Sequence, residues 1–173
     1  MQSTQHVLIS LEERHAANIF AGIKQVELRR RTMHVEPGST VWFYVKKPVG
    51  AVVGFATVGR TYSAAPSTVW RKYGAVSGLS RSEFMNYFDG SVVASAMALS
   101  GPEKLTTPVT LDAIRAAVPG FHPPQFYCRL DADSSIKLLQ GRVLTVTDTK
   151  PLCVGAIFCT GAHGLQFSAE GKR

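Results

Sequence analysis

Apolar and polar residues at the start of the chain follow the pattern of a strand, a helix and a turn. The segment QHVLIS (5–10) is apolar enough for a short buried strand. The SLEE that follows gives Ser10 and Glu13 the spacing of a capping box, so a helix is expected to start there. This helix is expected to end at Gly22, because glycine is favoured just past a helix end.

The next segment, KQVELR, alternates with the period of a strand. Val26 and Leu28 fall on one face, while Gln25, Glu27 and Arg29 fall on the other. We therefore predict a strand whose apolar face packs in the core and whose charged face is exposed.

Two strongly β-prone segments come after a turn at EPGS. They are TVWFYV (40–45) and GAVVGFATVGRTY (50–62), both rich in branched and aromatic residues. Gly54 and Gly59 lie inside the second segment. Glycines within a strand favour bulges or sharp bends, which a small closed barrel requires.

Helical segments are predicted between the remaining strands. One runs from Pro66 to about Tyr73, and a second starts at a capping box at Ser80 and ends near Phe88. A third short helix, in TLDAIRAAVPG, has Thr110 as its N-cap and a Pro-Gly stop. The strands GSVVASAMALS (90–100) and PQFYCRL (124–130) complete the pattern.

These elements predict an α+β fold, a small and mostly antiparallel β-barrel with inserted and flanking helices. The length of 173 residues fits one domain, which we assign to residues 1–131. Residues 132–173 form a C-terminal extension that either belongs to the same globule or is partly disordered. Within this extension, VLTVT and VGAIF have the composition of strands.

Composition and charge narrow the class of protein. The chain is 45% apolar, so it can bury a core, and its net charge of +7 favours an anionic partner such as nucleic acid. The alternative is a basic protein without such a partner. The sequence has no N-terminal signal segment and no apolar run of about 18 residues. We therefore expect a cytoplasmic protein with no membrane partner.

The cysteines and histidines lack the spacing of a metal site. Cys153, Cys159 and His163 cluster loosely, without a paired C-x-x-C and without a fourth ligand nearby. With Cys128 the cysteines are odd in number and cannot all pair within the chain, which favours reduced packing thiols. We expect neither a metal nor a cofactor.

One short stretch, GIKQVELR, combines cations with a single acid. Lys24 and Arg29 can donate to a phosphate or to base acceptors, while Glu27 can accept from a base amino group or a ribose hydroxyl. An acid among cations gives a selectivity that a uniformly basic patch lacks. The alternative is an ion pair between Glu27 and Arg29 on one strand, with Lys24 solvated.

Further candidate residues lie near this stretch in the predicted fold. Tyr44 and Trp42 share one strand face that could stack a base, although Trp42 fits the core at least as well. Ser10 offers a hydroxyl, and the helix start offers amides, to an anion. Peripheral phosphate contacts are predicted at Arg30, Arg31, Lys46 and Lys47.

The stretch GIKQVELR matches G-x-K-x-x-E-x-R, the hallmark of the ASCH family, a branch of the PUA-like superfamily. The resemblance extends over residues 5–130 through LISLEERHAANIFAGIKQVELRRR, VWFYVKKPVGAVVGFATV, VWRKYGAVSGLSRSEFMNYFDG and PPQFYCRL. It implies a β-barrel with a cleft between the barrel and the first helix, lined by the polar residues of the motif.

The resemblance also implies a ligand class. PUA-like domains generally bind RNA or modified nucleotides, so the expected partner is single-stranded RNA or a modified nucleotide in a cleft formed by Ser10, Lys24, Glu27, Arg29 and Tyr44. The alternative is a metal-independent ribonuclease or a nucleoside-processing enzyme using the same cleft. Lys24 and Glu27 would then exchange protons, with the ribose 2′-hydroxyl as the nucleophile. Family members similar to acetylcytidine amidohydrolases have a threonine where this chain has Glu27, so that activity is not expected.

Overall fold

The computed structural model describes residues 5–130. The strands in this part of the chain are β1 (His6–Leu11), β2 (Val26–Arg29), β3 (Thr40–Val45), β4 (Ala51–Ala64), β5 (Ala94–Thr110) and β6 (Tyr127–Leu130). The helices are α1 (Glu13–Phe20), α2 (Pro66–Tyr73), α3 (Arg81–Tyr87) and α4 (Leu111–Ala117), with a short 3-10 turn at Gly74–Val76. No helix among these residues is long and apolar enough to cross a membrane.

The six strands form one mixed sheet in the order β2-β5-β4-β3-β1-β6. β1 and β3 are parallel, and the other pairings are antiparallel. The prediction of an α+β fold is confirmed. The barrel prediction is met only in part, because the sheet of residues 5–130 has β2 and β6 as its edges and is not closed.

The sheet is nevertheless strongly curved. The pairing of β4 with β5 shifts register between Val52 and Gly54 and again between Val58 and Thr61, around the two glycines at which bends were predicted. Arg29 on β2 donates a hydrogen bond to the carbonyl oxygen of a β1 residue at 3.3 Å, although β5, β4 and β3 lie between these strands. A side chain can span that gap only if the sheet curls back toward its own edge.

Alternate residues of the central strands pack on opposite faces of the sheet. One face, here called the α1 side, buries Val7, Ile9, Val41, Phe43, Val58 and Met97 together with Ala16 and Ile19 of α1. The other face, the α4 side, buries Leu8, Trp42, Tyr44 and Val52 against Leu111 and Ile114 of α4. A third cluster joins α2 and α3 to β2 and β5 through Val26, Leu28, Val69, Phe84, Phe88, Ala94 and Ala96.

The capping box predicted at Ser10 is wrong. β1 continues through Leu11, and α1 begins at Glu13 with Glu12 as its N-cap and no side-chain cap. Ser10 lies in the strand, where its hydroxyl donates to the carbonyl oxygen of Pro124 at 2.7 Å. The parallel ladder with β3 extends the strand past the point where the local sequence favours a helix start.

The other helix signals agree with the structure. Gly22 follows α1 with a positive φ of 74°, which a residue with a side chain rarely adopts. Ser80 accepts from the Glu83 amide at 3.3 Å and Glu83 accepts in return from the Ser80 amide at 2.8 Å, so this capping box is confirmed. Thr110 caps α4 as predicted.

Two strand boundaries differ from the prediction. The strand expected at residues 90–100 begins at Ala94, because Gly90 has a φ of 69° and Ser91 donates back to Phe88, and it then continues to Thr110. The last strand begins at Tyr127 rather than at the prolines before it, which have no amide to donate to a ladder. The predicted strands and thiols of residues 132–173 lie outside the described residues.

Candidate functional site

The two faces of β2 are buried in different surroundings. Val26 and Leu28 are buried as predicted, but they pack under the inserted helices rather than inside the curved sheet. Glu27 is paired with Met97 of β5, and directly opposed residues share a face. Since Met97 belongs to the α1-side core, the charged face of β2 points inward. The prediction that this face is exposed is therefore wrong, because the sheet curves around it.

Lys24, Glu27 and Arg29 form one ion cluster, here called the charged cluster. Arg29 Nη2 lies 2.8 Å from Glu27 Oε1, and Lys24 Nζ lies 3.4 Å from Glu27 Oε2. Lys24 and Glu27 are only 3% and 5% exposed. The ion pair between Glu27 and Arg29 that spacing suggested is present, but Lys24 is buried instead of solvated. Two positive charges against one negative leave the cluster with a net charge of +1.

Each cation of the charged cluster also holds a backbone carbonyl. Lys24 Nζ donates to Ser77 in the turn after α2 at 3.4 Å, and Arg29 Nη2 donates to Ser10 at 3.3 Å. Buried charges are tolerated when ion pairing and hydrogen bonds replace the lost water. The charged cluster therefore ties β2 to the insertion on one side and to β1 on the other.

An open pocket lies next to Ser10. Its volume is about 480 Å³. We call it the Ser10–Tyr44 pocket, and it is lined by Ser10, Tyr44, Lys46, Lys47, Pro123, Pro124 and Gln125. The pocket thus has two exposed ammonium groups and the phenol of Tyr44, which are donors suited to an anionic ligand, while the Ser10 hydroxyl already donates to Pro124.

Tyr44 lies opposite Ser10 in the ladder between β1 and β3. Burial raises the pKa of Tyr44 above its usual value of 10, so its hydroxyl stays protonated at neutral pH and can donate. Trp42, the other aromatic residue on this face, is 1% exposed and packs on Phe55 with ring centroids 5.0 Å apart. Trp42 is thus part of the core and is not available to stack a base.

The structure divides the single cleft expected from the sequence into two parts joined at Ser10. The charged cluster lies on the α1 side of the sheet. Tyr44 lies on the α4 side, where it lines the Ser10–Tyr44 pocket together with Lys46 and Lys47. The peripheral arginines lie at the end of β2, where Arg30 and Arg31 are exposed. Arg30 contacts Tyr87 at the end of α3.

Sequence reasoning missed His15, which it tested only for metal-ligand spacing. His15 is half-buried on α1, four residues before the core residue Ile19 and thus on the same helix face. Its Nδ1 is buried with no hydrogen-bond partner among the described residues. Within residues 5–130, no group of three or more His, Cys, Asp and Glu residues could hold a metal ion.

His15 stands in the electrostatic field of the charged cluster. Burial lowers its pKa below 6.5, and the positive charges of Lys24 and Arg14 lower it further. Glu27 and Glu12 act in the opposite direction and are the smaller contributions. His15 is therefore neutral at pH 7 and places an imidazole, not a fourth charge, beside the charged cluster.

The first prediction concerns the stability of the charged cluster. Glu27→Gln keeps the shape of the side chain but leaves Lys24 and Arg29 as two buried like charges without a counterion. Removing one partner of a buried ion pair costs about 3–5 kcal/mol. We expect a loss of that order in the free energy of unfolding, measured with urea. The control is Glu83→Gln, which removes an exposed partner of Arg14 and should lower stability much less. Equal losses for the two variants would contradict the structural role of the cluster.

The second prediction concerns pH. The pKa of His15 is lower in the folded protein, so below pH 6.5 the unfolded chain binds the proton more readily. Stability is then highest above pH 6.5 and falls as the pH drops toward the folded-state pKa. His15→Gln should flatten this slope, measured by urea unfolding between about pH 5 and pH 8. His6→Gln serves as the comparison, because burial also lowers the pKa of His6. A slope unchanged in His15→Gln would mean that His15 is not buried against the cluster.

Comparisons with known proteins agree with this fold. A family model described as a domain of unknown function, DUF365, matches residues 4–118. The chain is 31% identical over 135 residues to an ASCH domain-containing ribonuclease of Zymomonas mobilis, covering 78% of this chain and 90% of that protein.

Solved structures give the same result. The crystal structure of ASCH from Zymomonas mobilis matches with a TM-score of 0.74 and 31% identity, covering 78% of this chain and 94% of that one. The N-terminal domain of Staphylothermus marinus McrB, at 8% identity and a TM-score of 0.53 over 78% of this chain and 93% of that one, shares the fold alone. The protein therefore belongs to the ASCH domain family, and its residues 4–118 carry the domain described as DUF365.

Proposed function

We propose that this protein binds single-stranded RNA in the Ser10–Tyr44 pocket. The observation that carries the proposal is an open pocket with two exposed lysines at its rim, directly beside a buried cluster of net positive charge. Cations that release counterions from phosphates supply much of the affinity of nucleic-acid binding. The similarity to a protein named as a ribonuclease supports RNA as the polyanion.

Each group in the pocket has a part in the proposed recognition. Lys46 and Lys47 donate to phosphate oxygens, and the protonated phenol of Tyr44 donates to a phosphate or a ribose oxygen. Arg29 is the most exposed member of the charged cluster and is the one that we expect to approach the strand. We assign to Lys24 and Glu27 the task of fixing Arg29 and, through it, the carbonyl of Ser10.

The third prediction tests this binding. Lys46→Ala and Lys47→Ala should each weaken binding of labelled eight-nucleotide RNAs, with little dependence on their sequence. Each should also lower the slope of log K against log salt by about 0.7 for every phosphate left without its cation. Binding is measured by fluorescence anisotropy over a salt series.

The matched control for the third prediction is Lys72→Ala. Lys72 is an exposed lysine on α2 that stacks on Tyr62, away from the pocket lining. It carries the same charge and should leave the salt slope unchanged. If Lys72→Ala weakened RNA binding as much as Lys46→Ala, the effect would come from the overall charge of the protein and not from the pocket. If the protein bound a free modified nucleoside but had no affinity for RNA, its ligand would be a modified nucleotide instead of RNA.

A second function, cleavage of the bound RNA, is favoured by one observation. The similarity to the Zymomonas mobilis ribonuclease spans 78% of this chain and 90% of that protein. In metal-independent cleavage the ribose 2′-oxygen attacks the neighbouring phosphorus and the bond from phosphorus to the 5′-oxygen breaks. A base takes the 2′-hydroxyl proton, and an acid protonates the leaving 5′-oxygen, giving a 2′,3′-cyclic phosphate and a 5′-hydroxyl.

Two sets of residues in this chain have groups for these proton transfers, and in the pocket, whose lining has no base among the described residues, the 2′-hydroxyl proton passes to water. The sequence motif supplies Lys24 and Glu27, with the neutral imidazole of His15 beside them. The pocket supplies the protonated hydroxyl of Tyr44 as an acid and the ammonium of Lys46 to stabilise charge on the phosphorane. Tyr44 is itself only 3% exposed, but it lines the open pocket beside the exposed Lys46, so we assign the acid to Tyr44.

The fourth prediction tests cleavage. With EDTA present, the protein should cut an RNA oligonucleotide but not the same oligonucleotide with 2′-deoxyriboses. Tyr44→Phe removes the acid and retains the ring, and it should lower the cleavage rate about 10²- to 10⁴-fold. Its affinity for RNA should fall much less, by about 2- to 10-fold, as expected for one lost hydrogen bond. If Tyr44→Phe kept full cleavage activity and His15→Gln lost it, the catalytic groups would lie in the charged cluster and not in the pocket. Absence of cleavage by the unchanged protein leaves RNA binding as the function.

A further inference from the structure

We propose that Arg30 and Tyr87 form a second nucleotide subsite, which stacks one base of the RNA strand bound in the Ser10–Tyr44 pocket. This inference rests on the proposed binding of single-stranded RNA. We call the pair the Arg30–Tyr87 platform. It joins the end of β2 to the end of the inserted helix α3.

The platform is ordered before any ligand arrives. The Arg30 guanidinium carbon lies 5.4 Å from the centroid of the Tyr87 ring, and Arg30 Nε donates to the Tyr87 carbonyl oxygen at 2.6 Å. The guanidinium is thus fixed at two points, yet Arg30 is exposed and Tyr87 is 39% exposed. Preorganised groups lose less conformational entropy on binding, which favours the bound state.

The platform is also supported from below. The Tyr87 ring meets the edge of Phe88 at a centroid distance of 4.8 Å, and Phe88 packs on the fully buried Phe84 at 4.6 Å. The hydrogen bond from Arg30 Nε alone would be enough to join β2 to α3. A large aromatic ring left exposed at this junction is not needed for that purpose, whereas bases of single strands stack on aromatic rings and on guanidinium planes.

Arg29 connects the platform to the pocket. Its Nη2 contacts the carbonyl of Ser10, which lines the pocket, and its charge also acts on the phenol of Tyr87. Burial raises the pKa of Tyr87 above 10, so the ring remains uncharged and can stack without repelling phosphate. Arg31, next to Arg30 in the sequence, is a further exposed cation for a strand that extends from Lys46 and Lys47 to Tyr87.

The experiment, our fifth prediction, locates a stacked base with abasic RNAs. A set of eight-nucleotide RNAs, each lacking one base, is bound to the unchanged protein and to Tyr87→Leu. In the unchanged protein, one abasic position should weaken binding about 5- to 100-fold, the range expected for one stacked base. Tyr87→Leu should bind the complete RNA more weakly by a similar factor and should no longer respond to that abasic position. Its salt slope should be unchanged, because the substitution removes no cation.

Two further variants keep the test decisive if Tyr87→Leu folds poorly. Tyr87→Phe retains the ring and should bind as the unchanged protein does. Arg30→Ala should lose more affinity than its neighbour Arg31→Ala, which removes the same charge but no group stacked on Tyr87. The same affinity and the same abasic profile in Arg30→Ala, Tyr87→Leu and the unchanged protein would overturn the platform while leaving RNA binding intact. No RNA binding by the unchanged protein at low salt would instead overturn the proposed function itself.

Discussion

A carboxylate shared by two cations inside a curved sheet is the interaction on which the rest of this molecule depends. Glu27 holds Lys24 on one oxygen and Arg29 on the other, and each cation continues to a backbone carbonyl. The hydrogen bond from Arg29 joins β2 to β1, two strands that do not pair with each other in the sheet. Register shifts between β4 and β5 bend the sheet, and the Arg29 side chain joins β2 to β1 across the bend.

The inserted helices explain why such a cluster is needed. β2 is an edge strand with four residues, and an exposed edge of that kind favours unwanted pairing with other strands. Here α2 and α3 cover its apolar face, while its charged face turns toward the α1 side. With both faces buried, the charged side chains pair with one another, although Glu27 Oε2 and Arg29 Nε have no hydrogen-bond partner among the described residues. Two cations against one acid leave a net positive charge. The same arrangement that completes the fold therefore leaves an electrostatic preference for anions.

Features that depend on neighbouring residues could be predicted from the sequence. The capping box at Ser80, the cap of α4 and the alternation in β2 are all local, and they are present. The box at Ser10 has the same local signal, but pairing with a distant strand extends β1 through it. Which face of β2 points inward depends on its pairing with β5, some 70 residues away in the sequence, and alternation alone carries no such information.

The sequence also could not predict which residues of the motif reach a ligand. The spacing of charged residues in the sequence indicates which side chains share a strand face. Whether a ligand can reach each of them depends on its burial, and the members of this motif differ in burial. Lys24 and Glu27 are enclosed, and Arg29 lies between them and the surface. Any selectivity that the enclosed acid gives must pass through Arg29 and the carbonyl of Ser10. In the function that we propose, the motif accounts for the shape and charge of the site, and the choice of ligand is assigned to Lys46 and Lys47 in the pocket and to Tyr87 on α3.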